Sequence, residues 1–171
     1  NWTVEEKTPG LYTQFDFAWD DLAMPIAGNI GVRYVDTDTL SAGYTRVQQG
    51  TTITFPYDQI EGGYSETLPS MNLRIGFIPG KLVGRLSAGK VMARPAPSQL
   101  AIRLGRDVIG LTGSRGNPSL LPFLASNFDL GVEWYFDDVS YASLAVFRKE
   151  ISRFILNQTT PEVNPNDGQT Y

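Results

Sequence analysis

The segment from 127 to 136 alternates between apolar and mostly polar side chains at every position. Because successive side chains of a β-strand point to opposite faces, this pattern predicts a strand whose two faces meet different environments. Its length matches the roughly 9 to 11 residues that a tilted strand needs to cross a bilayer. A lipid-facing strand of a barrel wall is therefore the first hypothesis. The apolar positions are Phe128, Leu130, Val132, Trp134 and Phe136, and the others are Asn127, Asp129, Gly131, Glu133 and Tyr135.

Similar alternation recurs along the chain and predicts six strands. Short connections follow the first, third and fifth strands, and the clearest of them is Ile78-Pro79-Gly80-Lys81, because proline and glycine favour tight turns. Longer polar stretches predict loops at 44–63 and 93–126 and a tail at 157–171. We therefore expect an all-β, antiparallel fold built from hairpins. The expected strands are 10–20, 29–41, 64–77, 82–92, 127–136 and 141–151.

The large aromatic residues gather at one end of the predicted strands. Phe17 and Trp19, Phe77, and Trp134 and Phe136 all lie beside the short connections. Transmembrane barrels have this arrangement, with short periplasmic turns, long extracellular loops and an aromatic girdle at the membrane interface. A soluble antiparallel sandwich also has alternating strands and variable loops, so it stays open as an alternative at this point.

Six strands are too few to close a transmembrane barrel, because eight is the usual minimum and open edges in lipid leave backbone groups unpaired. The rest of the wall is therefore expected outside this chain. If 51–55 and 99–109 also form strands, the chain could instead close a small barrel of eight. Within 82–92, Gly84, Arg85, Gly89 and Lys90 leave the two faces undetermined, and a bulge would explain this pattern.

The composition excludes several functional classes. The chain has no cysteine and no histidine, so disulfides, thiolate or imidazole metal sites and serine–histidine catalysis are not expected. Its 14 basic and 18 acidic residues give no basic surface for nucleic acid. We expect no catalytic residue, no metal, no cofactor and no enzymatic activity. No signal peptide opens the sequence, so we expect the chain to begin partway through a larger protein.

Several sequence motifs together resemble a known family. Their order and spacing from about residue 4 to 155 are similar to the barrel of TonB-dependent outer-membrane receptors, in particular the large proteobacterial branch that includes carbohydrate and siderophore transporters. The set is specific, although each motif alone is weak. The motifs are Val4-Glu5-Glu6-Lys7-Thr8 leading to Tyr12-Thr13-Gln14-Phe15-Asp16-Phe17, then 28–37, Leu68-Pro69-Ser70-Met71-Asn72-Leu73-Arg74, Lys90-Val91-Met92-Ala93-Arg94-Pro95, and Gly116-Asn117-Pro118 with 127–136.

This resemblance implies a 22-stranded barrel in the bacterial outer membrane, of which the chain would be an incomplete portion from the middle to later part of the wall. It also implies an N-terminal plug domain inside the barrel and energy supplied by the TonB complex of the inner membrane. Neither the plug nor the segment that contacts TonB is visible in this sequence. No residue of this chain is therefore assigned to energy coupling.

Two groups of residues are candidates for functional contacts. Charged side chains at the polar strand positions are expected to face the lumen, where they could contact the plug or a polar ligand, or simply form a solvated ladder that supports the wall. Loop residues with rings and hydrogen-bonding groups suit a sugar or an anionic metal chelate. The lumen-facing candidates are Arg33, Glu66, Arg74, Arg85, Glu133 and Lys149, and the ligand-contact candidates are Tyr57, Arg106 and Arg115.

The leading functional hypothesis is active, TonB-dependent uptake of a scarce nutrient, either a siderophore–metal complex or a carbohydrate. Its partners would be outer-membrane lipid, the plug, the TonB complex and the small nutrient ligand. The alternative is a small closed outer-membrane barrel or a secreted β-domain that acts in adhesion or surface binding.

Overall fold

A computed structural model describes residues 2–44, 47–49, 52–102, 104–107, 112–137, 139–161, 163 and 170. The described elements are eleven strands and one short helix. Among these residues, no helix is long and apolar enough to cross a lipid bilayer. The elements are β1 (Trp2–Lys7), β2 (Gly10–Trp19), β3 (Ile26–Tyr44), β4 (Val47–Gln49), β5 (Thr52–Thr54), β6 (Tyr57–Ile78), β7 (Leu82–Ala93), α1 (Pro97–Leu100), β8 (Leu104–Asp107), β9 (Thr112–Arg115), β10 (Phe123–Asp137) and β11 (Ser140–Arg153).

The main sheet is an antiparallel wall with the order β1–β3–β6–β7–β10–β11, and β2 also pairs with β3. β1 and β2 follow one course along β3, since Lys7 lies opposite Asp38 and Gly10 opposite Val35. Pro9 lies between them and has no N–H to donate, which interrupts the ladder. The two strands are thus halves of one long strand. The wall has six strand positions, which confirms the predicted all-β, antiparallel fold.

Four of the wall strands, β3, β6, β10 and β11, extend by two or more residues beyond the bounds that the sequence pattern predicted, and β10 begins at Phe123 within the loop predicted at 93–126. β6 begins at Tyr57 and pairs there with Tyr44, so both ends of the loop predicted at 44–63, namely residue 44 and residues 57–63, belong to the wall. β3 likewise begins at Ile26 within the connection that we expected to precede it. In the extra part of β6 the outward positions are polar, among them Gln59 and Glu61. Alternation is lost there because neither face needs to be apolar, although the backbone ladder continues.

The two short hairpins do not extend the wall. β4 pairs only with β5 and β8 only with β9, each as a separate two-stranded sheet. The prediction that 51–55 and 99–109 could complete an eight-stranded barrel is therefore wrong for the residues that are described. In the described chain the sheet is open, with β11 at one edge and the β1–β2 strand at the other. Each hairpin has only three or four residues a strand, which suffices for local pairing alone.

The pairing register separates the two predicted faces. Both Phe128 and Leu130 remain about half exposed, at 47% and 48%, as expected for side chains with no protein layer over them. We call the apolar side the outer face and the polar side the inner face, and the alternation predicted for this wall is confirmed. One outer row contains Phe15, Ile30, Met71, Ala88 and Phe128, and the adjacent inner row contains Asp16, Asn29, Asn72, Ser87 and Asp129.

The apolar band on the outer face runs obliquely across the strands. Ile30 on β3 and Arg148 on β11 lie in one row, yet the outer side chains of β3 stay apolar or aromatic up to Tyr34. At the opposite end of the strands β3 starts at Ile26, whereas β10 continues further past the row of Ile30, as far as Phe136. The band is displaced by about four to six residues over about four strand spacings, which corresponds to a strand tilt of roughly 35 to 45°. Transmembrane barrel strands have this tilt.

The faces of β7, which the sequence left undetermined, follow from its pairing with β10. The two strands pair without a register shift from Phe123 opposite Ala93 to Trp134 opposite Leu82, so Arg85 lies on the inner face. The shift instead affects β6, between Gly76 and Ile78. A bulge within β7 is therefore not what blurs the pattern. Gly84 occupies an outer position beneath the Phe77 ring, where an added Cβ would lie 2.6 Å from a ring carbon.

The connection between β6 and β7 is the predicted tight turn. The Lys81 N–H donates to the Ile78 carbonyl at 2.9 Å. Gly80 has φ +70°, which is the left-handed conformation that glycine adopts without a steric penalty. We call this end of the wall, with the turns after β2, β6 and β10, the short-turn end, and the opposite end the long-loop end.

β6 and β7 are hydrogen-bonded over only part of their length. Among the described residues, their pairing ends at Ser70 and Gly89, next to Pro69, which has no N–H. Towards the long-loop end, β6 continues along β3 and β7 continues along β10. The wall therefore forks there into one half with β1, β3 and β6 and another with β7, β10 and β11. We call this point the fork.

Two described parts of the long connection, 94–102 and 116–122, fold over the inner face at the long-loop end. The Ile102 N–H donates to the Ser41 hydroxyl of β3 at 3.1 Å. Leu100 in α1 and Pro122 are fully buried, and Thr37 and Ser41 on the inner face of β3 are buried as well. This half of the inner face is consequently covered by the chain itself, whereas the short-turn half is open.

Paired cysteine variants test the two faces of the wall. Since the chain has no cysteine, Leu130→Cys and Asp129→Cys each introduce a single thiol at adjacent positions of β10. We expect a membrane-confined maleimide to label the Leu130→Cys protein, and a water-soluble maleimide to label the Asp129→Cys protein, in outer membranes containing the full-length protein. Equal labelling of both variants by either reagent would contradict the assignment of the faces.

Candidate functional site

The short-turn half of the inner face forms an open trough of about 710 Å³. Residues of six strands, β2, β3, β6, β7, β10 and β11, line it, and they include inner-face residues together with neighbouring outer-face positions such as Leu73 and Leu130. Charged and amide side chains project from its floor, and small residues occupy most of the remaining inner positions. We call it the lower trough. Its inner-face residues are Ala27, Asn29, Asn72, Arg74, Arg85, Ser87, Asp129, Gly131, Glu133, Ser143, Ala145 and Phe147.

One hydrogen-bonded group in the lower trough connects β7 and β10. The Nε and Nη2 atoms of Arg85 donate to the two carboxylate oxygens of Glu133 at 2.7 and 3.2 Å. The hydroxyl of Tyr135 donates to the same carboxylate at 3.0 Å. Because the Arg85 side chain is 54% exposed, this ion pair is worth only about 0 to 1 kcal/mol. Its main effect is to fix where the guanidinium lies.

Two further pairs complete the polar floor. The Asn72 amide donates to the Asn29 side-chain carbonyl at 3.0 Å, and the Ser87 hydroxyl donates to Asp129 at 3.1 Å. Both pairs join residues that the register places directly opposite one another. Such cross-strand pairs are the contacts that stabilise a sheet face. The resulting surface is polar and lined with hydrogen-bonding groups, as a water-filled interior requires.

A second polar group lies at the fork. Glu66 on β6 is only 7% exposed and accepts hydrogen bonds from Lys90 of β7 at 2.9 Å and from Arg153 of β11 at 2.6 Å. Two cations from one half of the wall thereby hold one carboxylate of the other half. We call these three residues the fork cluster. They connect strands that share no backbone ladder at this level.

A second ion pair also joins the two halves of the wall. Arg94, which follows β7, donates to Glu6 of β1 at 2.7 Å. Glu6 also accepts from the Thr8 hydroxyl at 3.3 Å, and Thr8 accepts in turn from Thr37 at 3.4 Å. The segment that leaves β7 is thus anchored to the far side of the inner face.

Burial and neighbouring charges determine the protonation of two β6 residues at the long-loop end, Glu66 and Tyr64. The outer face of β6 is polar there. Burial alone would raise the pKa of Glu66, but the hydrogen bond and charge of Lys90 and the charge of Arg153 outweigh it, so this pKa lies below its ordinary value. Burial raises the pKa of the Tyr64 phenol, and the Glu6 carboxylate acts in the same direction. At neutral pH Glu66 is therefore ionised and Tyr64 is neutral.

The register places the six predicted lumen-facing residues on one face. Arg74, Arg85 and Glu133 come together in the lower trough, whereas Glu66 belongs to the fork cluster. Arg33 and Lys149 lie elsewhere on the same inner face. Whether any of them contacts a ligand or a plug stays a prediction.

The loop candidates have different positions. Tyr57 is the first residue of β6 and not a loop residue; it lies opposite Tyr44, with ring centroids 5.1 Å apart. Because Tyr57 lies within β6, the alternation of side chains along this strand assigns it to the outer face. Arg115 ends β9 and is exposed, and Arg106 lies on β8 with a side chain outside the described part of the structure. Ligand contact by these three residues stays a prediction.

Sequence reasoning did not identify Lys90, Arg94, Arg153 and Glu6. Arg153 lies two residues beyond the predicted end of its strand, and continuing the alternation from Lys149 would have assigned it to the inner face. Lys90 lies in the segment whose faces were undetermined. Glu6 precedes the first predicted strand. Their partners are distant in sequence, so no local pattern could have paired them.

In the described ranges, no group of three or more histidine, cysteine, aspartate or glutamate side chains is positioned to hold a metal ion. The described side chains of the inner face offer hydrogen bonding and ion pairing through arginine, lysine, carboxylate, amide and hydroxyl groups. These groups suit the recognition of polar surfaces or solutes.

Comparison with known proteins extends the resemblance to the whole chain. A family model described as TonB dependent receptor-like, beta-barrel, matches residues 1–171. No curated protein and no solved structure matches the chain. The match covers all strands of the wall and the connections between them, so it confirms the resemblance that the separate motifs indicated.

Replacing Glu66 tests the fork cluster. Glu66→Gln leaves Lys90 and Arg153 without an anion in a partly buried site, so we expect the free energy of unfolding to fall by about 1 to 3 kcal/mol. Glu150→Gln is the matched control, because its ion pair with Arg148 is exposed and worth about 0 to 1 kcal/mol. Urea unfolding of the full-length protein in detergent measures both. Equal losses in the two variants would contradict this role of Glu66.

The pH dependence gives an independent test of the same residue. Because the pKa of folded Glu66 is lowered, its ionisation stabilises the fold above about pH 4.5, and this contribution is lost as the pH falls through the folded value. We expect the wild type to lose more stability than Glu66→Gln between neutral and acidic pH. Parallel pH profiles of thermal unfolding for the two proteins would show that Glu66 does not contribute in this way.

Proposed function

The chain belongs to the TonB-dependent receptor-like β-barrel family, and on that premise we propose that it forms part of the wall of a plugged transporter for a scarce nutrient. Barrels of this family lie in the bacterial outer membrane and serve TonB-dependent uptake. The proposal adds three points for this chain. The nutrient is a siderophore–metal complex or a carbohydrate, a plug domain fills the lumen, and the TonB complex supplies the energy.

The observation that carries this proposal is the division of one continuous wall into two surfaces. The outer face presents exposed apolar side chains such as Phe15, Leu130 and Trp134 in an oblique band. The inner face at the same height presents Arg85, Glu133 and other polar groups in an open trough. A soluble sandwich would bury the apolar face, whereas a channel wall needs it against lipid.

The long-loop end supports a gated route. The described residues 94–102 and 116–122 of the connection cover the inner face there, and they are held by the hydrogen bond to Ser41 and by the Glu6–Arg94 ion pair. A solute that enters from this end has to pass groups that are part of the chain's own loops. Loops on a rigid wall are where recognition commonly occurs, which fits selective uptake better than an open pore.

Growth and uptake assays test the proposal and separate the two nutrient classes. We expect a strain that lacks the complete receptor to lose growth either on ferric chelates under iron limitation or on a particular oligosaccharide as sole carbon source. Restoring the receptor should restore uptake only when the TonB complex is intact, because the family's transport is energised by that complex.

The control strain carries the same receptor in a background without a functional TonB complex. Uptake that proceeds equally in both backgrounds would contradict the proposal. Surface attachment that is lost on deletion, without any change in uptake, would instead support a role in adhesion.

A further inference from the structure

The hairpin that joins β3 to β6 carries a second apolar surface near its tip. Tyr44 and Tyr57 lie directly opposite each other, and their rings pack edge to face with centroids 5.1 Å apart. Together with Ile53 and Phe55, they are between 45% and 60% exposed. We call these four residues the distal patch. A contiguous group of exposed apolar side chains marks a surface that another molecule covers.

All four side chains of the distal patch lie on the outer face. β4 and β5 continue the register of β3 and β6, because Val47 and Thr54 pair three residues beyond the last pair of the wall. Since the alternation of side chains continues with the register, Ile53 and Phe55 lie on the same side as Tyr57. The distal patch therefore points away from the lumen.

Acidic side chains separate the distal patch from the membrane band. Beyond Tyr34, the next outer positions of β3 are Asp36 and Asp38, and both are exposed. On β6, the exposed Glu61 lies at an outer position of the same zone. Tyr44 lies ten residues beyond Tyr34, which at a rise of about 3.3 Å per residue and a tilt of about 40° corresponds to a height of about 25 Å above the band. The distal patch is therefore outside the hydrocarbon of the bilayer.

The charges around the distal patch favour a neutral ligand. Among the described outer positions of β3 and β6 above the band, the charged residues are Asp36, Asp38 and Glu61. Lys7 of β1 faces the same side, but it pairs with Glu5 at 3.1 Å. The acidic groups would repel an anionic ligand at this surface, whereas they leave a neutral one unaffected.

Aromatic rings beside hydrogen-bonding groups suit a sugar. The C–H groups of a pyranose carry partial positive charge and pack on the negative face of an aromatic ring. The hydroxyl groups of the sugar need donors and acceptors beside that ring. Gln59 supplies an amide there, since it donates to the Tyr57 hydroxyl at 3.4 Å. The distal patch thus combines ring faces with polar groups, as a site for neutral hexose units requires.

We propose that the distal patch binds neutral sugar units of the lipopolysaccharide that surrounds the receptor in the outer leaflet. The proposal rests on the location of this family's barrels in the outer membrane and not on the nutrient that is transported. The patch lies on the same face of β3 and β6 that contacts lipid closer to the short turns. About 25 Å above the band, this face adjoins the saccharide chains of the same lipid molecules.

The wall itself separates this site from the transport route. On the inner face of the same stretch of β3, Thr39 and Ser41 are buried, and Ser41 accepts a hydrogen bond from the Ile102 N–H of the long connection. A saccharide bound at Tyr44 therefore stays on the opposite side of the sheet from the lumen. Such a site holds the hairpin within the polysaccharide layer and does not deliver a nutrient.

The experiment uses the full-length receptor in detergent and the saccharide that mild acid releases from the lipopolysaccharide of the same strain. We expect calorimetric titration to show binding to the wild type and about tenfold weaker binding to Tyr57→Ala and Phe55→Ser, because each variant loses a ring that the sugar covers. Tyr57→Phe keeps the ring and should bind within about threefold of the wild type. The matched control is Tyr141→Ala, which removes a comparably exposed tyrosine ring at the short-turn end and should bind like the wild type.

Dextran, a neutral glucose polymer, distinguishes an external polysaccharide from lipopolysaccharide. Tighter binding of dextran than of the lipopolysaccharide saccharide would overturn the proposal, because an external polymer would then be the ligand. Equal binding of the saccharide to the wild type and to Tyr57→Ala, or no binding to the wild type, would overturn it as well. Since these titrations do not measure uptake, a failure of the transport proposal leaves their result unaffected.

A photoreactive benzoylphenylalanine in place of Tyr57 identifies the molecule that covers the patch in intact cells. We expect an adduct that an antibody against the lipopolysaccharide saccharide recognises. It should become several-fold weaker when Phe55→Ser is added, because proximity without binding does not depend on this ring. An adduct of equal strength in both proteins would overturn the proposal, and so would an adduct with a protein and none with lipopolysaccharide.

Discussion

The fold depends on one constraint, which is that backbone N–H and C=O groups in hydrocarbon must pair with one another. In this chain the constraint is met by antiparallel ladders between neighbouring strands, and the ladder between β7 and β10 runs without a register shift from Phe123–Ala93 to Trp134–Leu82. A shift of the register by one residue would send Arg85 and Glu133 outwards and Leu130 inwards. The ladder therefore fixes the polar interior as firmly as it fixes the strands.

The sequence was most informative where the constraint is strictest. Within the band, apolar outer residues and polar inner residues must alternate, so the strands at 127–136 and 82–92 could be located to within a few residues. Beyond the band both faces of β6 meet polar surroundings, and the part that begins at Tyr57 carried no alternation to detect. The pairing of Glu66 with Arg153 was equally hidden, because it joins positions 87 residues apart that only the assembled wall brings together.

The inner face has two zones with different roles. At the long-loop end it is covered by the chain's own connection, and its charges pair internally through Glu66 and Glu6. In the short-turn half it is open, and its charged residues include Arg74 and the Arg85–Glu133 ion pair. Internal pairing stabilises the long-loop end, whereas the polar groups of the open zone remain accessible. One set of strands thus combines an inner face that is covered at the long-loop end with one that is open in the short-turn half.

The fork beside Pro69 has a mechanical consequence. On the short-turn side of the fork, backbone hydrogen bonds join the two halves of the wall. On the long-loop side, the bridges among the described residues are the fork cluster, the Glu6–Arg94 ion pair and the hydrogen bond from the Ile102 N–H to Ser41. A force that pulls the two halves apart at the long-loop end acts mainly on these few contacts. The long-loop end of the wall therefore separates along the fork first, while the part of the wall within the bilayer keeps its shape.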